Sequence, residues 1–130
     1  MLEDQFQTRF NAWLKHVWKR TGAFELKVSP VDYLSFSAVK DHQEAALYNA
    51  HNGTCVYKLP DDTAGYKPFD AFILAGVEAW VAVMFRCRDR GRKVFYMIAI
   101  DDWIKQRNKS ARKSLTEEIA RKIGLTCELA

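Results

Sequence analysis

Phe24-Glu25-Leu26-Lys27 is the first unit in the chain with the means to do chemistry. In an extended strand successive side chains alternate, so Glu25 and Lys27 share one face while Phe24 and Leu26 occupy the other. A carboxylate beside an ammonium can hold a hard divalent cation through the acid, while the ammonium orients an attacking water or stabilises charge growing on phosphate oxygens. The plainer reading is a surface ion pair worth roughly 0–1 kcal/mol, and for an isolated E-x-K triplet it carries most of the weight.

Lys67-Pro68-Phe69-Asp70 is the second unit. Pro68 fixes the entry to a strand and leaves Asp70 at its mouth, open to a metal, with turn capping as the equal alternative. If the Glu25 strand lies beside it, the two acids can share a magnesium ion, which prefers hard oxygen ligands. Asp41-His42-Gln43 opens a helix: the Gln43 amide can donate to a phosphate or to the water that attacks it, whereas Asp41 and His42 read as capping residues. Glu3 is a further acid that would approach the metal end of the sheet, set against its simpler role of compensating a helix dipole.

His16 and His51 lack zinc-ligand spacing and read as surface residues, and Cys55, Cys87 and Cys127, odd in number and far apart, read as reduced thiols. The sequence contains no glycine-rich phosphate loop, G-x-S-x-G elbow or paired Cys-His motif, which argues against P-loop hydrolysis, serine hydrolysis and zinc-dependent deamination.

The elements that must position these residues follow from periodicity. Leu2, Phe6, Phe10, Trp13, Leu14, Val17 and Trp18 recur at helical spacing and predict a helix from Leu2 to Arg20, closed by Thr21-Gly22. Ala23 to Val28 alternates as a strand, and Pro30 stops it. Ser35 or Ser37 caps a second helix over about 38–50, with Val39, Ala46, Leu47 and Ala50 inward, before an Asn52-Gly53 turn. Strands are expected at Cys55–Leu59, Phe69–Leu74, Ala79–Phe85 and Lys93–Ile100, the last three forming a meander. From Asp101 the pattern becomes helical and basic to the end of the chain.

The expectation is a mixed α/β architecture, a central mixed sheet flanked by helices, in one domain over 1–130 with a basic helical C-terminal segment at 101–130. With 130 residues, 48% hydrophobic and 13% aromatic, the chain can build one core without disulfides, and intrinsic disorder is excluded for most of it. The longest apolar run, Ala71 to Phe85, carries Gly76 and Glu78 and is too short to cross a bilayer. No basic flank and apolar block opens the chain, which points to the cytoplasm. A net charge of +4 permits a polyanionic partner without demanding one.

Glu25-x-Lys27, followed by Leu34-Ser35-Phe36-Ser37 and then His42-Gln43 on a helix, resembles the PD-(D/E)XK nuclease superfamily, particularly its Holliday junction resolvase-like and phage-type members. The match covers about Glu3 to Trp103, and a phage-type origin would place the protein in a host cytoplasm. The resemblance implies a restriction-endonuclease-like sheet, magnesium (or manganese) at its end, and Asp70, Glu25 and Lys27 as the acid, acid and lysine. Glu3 would match the family's helix-one Glu and Gln43 its Gln. In that family the Asp strand usually precedes the E-x-K strand in a hairpin, whereas here Asp70 follows Glu25 by 45 positions. Across the expected hairpin from Asp70 stand Met84 and Arg86, so the Glu25 strand would have to supply the second acid from the other side, with Asp61 as the fallback.

The leading expectation is a magnesium-dependent endodeoxyribonuclease acting on DNA, branched DNA included. Glu25 and Asp70 hold the metal, with Glu3 as a third candidate, and Lys27 positions the water. Arg86, Arg88, Arg90, Arg92 and Lys93 at a loop tip, with Lys105, Arg107 and Lys109 behind, would contact phosphates, although such runs are equally a solvated face. Junction cleavage would call for two sites, hence a homodimer. The alternative is a non-catalytic DNA-binding module, and a third reading is an interaction subunit docking through its apolar hairpin. Trp13, Trp18, Trp80 and Trp103 are expected in the core.

Overall fold

The computed structural model describes residues 3–58, 71–89 and 91–129. Helix α1 (Glu3–Trp13) opens with Glu3 and Asp4 in its first turn, where acids complement the helix dipole, and buries Phe6, Phe10 and Trp13. It passes into one π-helical turn (Leu14–Trp18), ended by Lys19 in the left-handed region with φ 56°. That turn corrects the expected uninterrupted helix to Arg20. Its extra residue per turn brings Trp18 under Trp13, with stacked rings 5.5 Å apart, and rotates Val17 outward to 57% exposure, so Val17 is not a core residue.

Strand β1 (Ala23–Val28) follows, then β2 (Tyr33–Ser35), a 3-10 turn (Phe36–Ala38) and helix α2 (Asp41–Asn52). Ser35 caps the 3-10 turn, accepting from Ser37 N, rather than α2, and α2 therefore begins three residues later than the sequence suggests. Val39, Leu47 and Ala50 are buried as expected, but Ala46 is exposed. Strands β3 (Thr54–Lys58) and β4 (Ala71–Ala75) form an antiparallel hairpin with each other. Strands β5 (Ala79–Met84) and β6 (Val94–Ala99), helix α3 (Ile100–Lys109), β7 (Ser114–Thr116), α4 (Glu117–Ile123) and β8 (Leu125–Glu128) complete the chain.

The central sheet has the order β1-β5-β6-β8. β1 runs parallel to β5, with Glu25 opposite Val81 and Lys27 opposite Val83, and the other pairs are antiparallel. The expected meander is thus corrected at its first step: β4 pairs with β3, and β5 takes β1 as its neighbour. A parallel pair needs a long crossover, which α2 and the β3–β4 hairpin supply. β5 is covered on both faces, with Val81, Ala82, Val83 and Met84 fully buried, which accounts for its unbroken apolar sequence.

One sheet face packs Phe24, Leu26, Ala82, Met84, Phe95 and Met97 against Phe6, Phe10 and Trp13 of α1. The other packs Val81, Val83, Tyr96 and Ile98 against Leu47 of α2, Trp103 of α3, Ala120 of α4 and the ribbon residues Leu34 and Leu115. Together these give the mixed sheet flanked by helices that the sequence implied.

The basic segment 101–130 is not one helical tail. Leu115 turns inward opposite Leu34 as β7 pairs with β2, and Thr116 then caps α4 by accepting from Ile119 N. Gly124 passes so close to Met97 O that an added Cβ would lie 2.8 Å from it, which lets the chain join β6 as β8. Among the described residues no helix is long and apolar enough to cross a membrane.

Candidate active site

Period-two alternation sends Phe24, Leu26 and Val28 into the α1 layer and leaves Glu25 and Lys27 on the opposite face, level with Val81 and Val83. Strand β1 is an edge of the sheet, and α2 packs over it on that face. The two side chains meet there: Lys27 Nζ stands 3.3 Å from Glu25 Oε1, with the side chains only 15% and 24% exposed. The pair is therefore half-covered rather than a solvated surface bridge. Lys27 approaches Oε1, so Oε2 lies outside that pair. An ammonium carries three N–H donors, more than a single carboxylate oxygen uses.

Helix α2 is oriented by its far end. Val77 N donates to Ala50 O at 3.0 Å, and His51 Nδ1 lies 2.8 Å from Val77 O, which seats the C-terminus of α2 beside the start of β5. Since β1 and β5 are parallel, the first turn of α2 lies toward the Lys27 end of β1. Gln43 stands in that turn, half-buried, and its Oε1 accepts from Lys40 N at 2.9 Å. This is one half of a capping box, and it leaves the Gln43 amide N–H groups as the donors for any ligand. Asp41 and His42 are exposed beside it.

Glu3 is exposed in the first turn of α1, the helix whose Phe6 and Phe10 pack on the sheet face away from Glu25. Asp70, its fallback Asp61, and Arg90 lie outside the described residues. Among the described residues no three His, Cys, Asp or Glu side chains are grouped to hold a metal.

The basic residues divide by environment. Arg88, Lys93, Lys105 and Lys109 are exposed, and Arg86, 51% exposed at the side chain, turns off the end of β5 with φ 55°. Arg92 instead pairs with Glu117, and Arg107 clamps Glu44 through Nε at 3.0 Å and Nη2 at 2.7 Å. Trp13 and Trp103 are buried, and Trp18 and Trp80 pack against the α1 layer, as expected for core aromatics.

The sequence reading missed Glu117. This acid is 7% exposed, receives the Tyr96 hydroxyl at 2.8 Å and the Arg92 guanidinium, and has Arg86 Nε at 3.9 Å. Burial, then the hydrogen bond to Glu117, raises the Tyr96 phenol above its ordinary value of 10.0. An arginine-rich tip needs a counter-charge somewhere in the fold, and that need was the available signal.

In comparisons with family models, with curated proteins and with solved structures, nothing matches this chain.

Proposed function

We propose that this protein is a metal-dependent endodeoxyribonuclease of restriction-endonuclease-like type, with Glu25 and Lys27 at the centre of its active site. The observation that carries the reading is the half-covered acid–ammonium pair on edge strand β1 beneath α2. Taking two charges part-way out of water gains little for stability, so the fold alone gives little reason to cover them. The first turn of α2 adds the Gln43 amide at the Lys27 end of the strand.

Glu25 offers a hard carboxylate oxygen of the kind magnesium or manganese takes, and Asp70 is assigned as its partner ligand. Asp70 lies outside the described residues, and its assignment as partner ligand comes from the family resemblance. A bound divalent cation would supply Lewis-acid polarisation of a phosphoryl oxygen. Lys27 orients the attacking water or donates to the non-bridging oxygen on which negative charge grows. Gln43 hydrogen-bonds a neighbouring phosphate oxygen. Arg86, Arg88, Lys93, Lys105 and Lys109 bind flanking phosphates, so affinity falls as salt rises. Glu3 is left out of the metal set because its helix packs on the other sheet face.

The test is incubation of labelled four-way junction, duplex and single-stranded DNA with magnesium or EDTA. Cutting that requires magnesium and disappears in Glu25→Gln, with DNA binding retained, supports the assignment. Salt-sensitive binding with no cutting under any condition overturns it in favour of a non-catalytic DNA-binding module. The junction arm also reads out whether two copies act together.

A further inference from the structure

We propose that the outer face of the β2–β7 ribbon, with the clefts at its two ends, forms a groove for single-stranded DNA: Tyr33 stacks on an unpaired base while Arg86, Arg121, Arg112 and Lys113 hold the phosphates on either side. The inference rests on the DNA part of the preceding reading and is independent of cleavage.

The ribbon pairs Tyr33 with Thr116, Leu34 with Leu115 and Ser35 with Ser114. Leu34 and Leu115 point into the core, so alternation turns Tyr33, Ser35, Ser114 and Thr116 outward. Tyr33 is 52% exposed, an aromatic ring that contributes little to the core. Its outer-face neighbours belong to two clefts: Thr116 lines one of about 610 Å³, and Ser35 lines one of about 530 Å³. Arg112 lines both, at the junction between them.

The clefts carry a cationic excess once their internal pairs are removed. In the first, Glu117 is engaged by Arg92 and Tyr96, and Glu118 lies 3.5 Å from Lys122. In the second, Glu44 is clamped by Arg107. Asp32 and Asp41 then remain as the acids not so engaged, against Arg112, Lys113 and Arg121, while Arg86 shares Glu117 with Arg92 at 3.9 Å and leaves that cluster net positive. Among the described residues no acid pairs with Arg112 or Lys113. Arginine forks suit phosphate oxygens, and a ring set between phosphate sites is the arrangement by which proteins track an unpaired strand. A duplex presents a base face only at its ends, so the exposed ring selects for single-stranded DNA.

The ribbon is anchored just past the end of β1. Ser29, directly after β1, donates from Oγ to Tyr33 O at 2.5 Å, and Leu34 and Leu115 share the core layer of Val81 and Val83.

The experiment is fluorescence anisotropy in EDTA, which removes cleavage from the readout, with labelled oligo-dT of about 16 nucleotides and a closed duplex hairpin. Oligo-dT is expected to bind more tightly than the hairpin. Tyr33→Ala should weaken oligo-dT binding about tenfold or more, and Tyr33→Phe should retain it. Arg112→Ala and Arg121→Ala should each lower the slope of log affinity against log salt by about 0.7. Unchanged oligo-dT affinity in Tyr33→Ala, or equal affinity for the hairpin, overturns the groove. Groove binding without magnesium-dependent cutting would remove the nuclease reading alone. Cutting that survives with Tyr33→Ala binding unchanged would remove the groove alone.

Discussion

If Glu25 and Lys27 are held for chemistry, replacing both should cost the fold little while replacing either should cost it more. The side chains are 24% and 15% exposed and stand 3.3 Å apart. Lys27→Met leaves a half-covered carboxylate without its partner, and Glu25→Met leaves a half-covered ammonium. Removing one member of a fully buried pair costs about 3–5 kcal/mol, and the remaining exposure here reduces that to about 1–3 kcal/mol. The double variant, Glu25→Met with Lys27→Met, removes both desolvation penalties. It also places apolar volume against the layer of Val81, Val83 and Leu47, so its stability should equal or exceed that of the parent.

Urea unfolding reads the difference. With a slope of about 1–3 kcal/mol per molar for a small protein, each single variant should lower the midpoint by about 1 M at unchanged slope, and the double variant should restore it. Magnesium-dependent DNA cutting should be absent from all three. A double variant destabilised by the sum of the single changes would show the pair to be a net contributor to folding. The inference from burial to function would then fail.

Two further outcomes follow from groups away from β1. Glu117→Gln strips the counter-charge from Arg92, whose Nε is already buried without a partner, and replaces the charged acceptor of the Tyr96 hydroxyl with a neutral one. It should cost about 3 kcal/mol and lower the melting temperature by roughly 10 °C, whereas Tyr96→Phe should cost about 1 kcal/mol; equal, small shifts by calorimetry would contradict the network. Burial pushes the Cys127 thiol up from 9.0 to about 11, so its proton is held more tightly in the folded chain. That stabilising contribution is complete below about pH 9 and is lost as pH rises toward 11. Alkylation of Cys127 at pH 8 should be roughly 100-fold slower in folded than in unfolded protein, as mass spectrometry of the modified peptide would record.

The parts of the fold legible in the sequence are those governed by local period. Phe6, Phe10 and Trp13 announce α1, and the alternation from Ala23 to Val28 puts Glu25 and Lys27 on one face without reference to the rest of the chain. Long-range pairing was not legible. The run from Ala71 to Phe85 looks like two arms of a hairpin, but β5 is covered on both faces and can only be a central strand, so it takes β1 and β6 as neighbours. The π-helical turn adds one residue to a pattern that otherwise continues, which misplaces Val17. In the C-terminal segment β7 spans three residues, too few to stand out against a basic helical background. The covering of the E-x-K pair depends on α2 returning across β1, and the role of Glu117 on an arginine 25 positions earlier. Neither separation has a period.

One structural account competes directly with chemistry for Glu25 and Lys27. β1 is an edge strand, and charges on an edge strand discourage pairing with another sheet. Edge protection, however, needs charge that meets an approaching strand, of either sign and without a matched partner. The opposite edge meets that need with Glu128, exposed on β8. On β1 every residue is half-buried, and its acid and ammonium turn toward each other on the face that α2 covers. Guarding an edge therefore explains why charge is tolerated on β1 but not why it is paired and covered. The proposed phosphodiester chemistry would use both groups, the acid to hold a cation and the ammonium to reach the same phosphate.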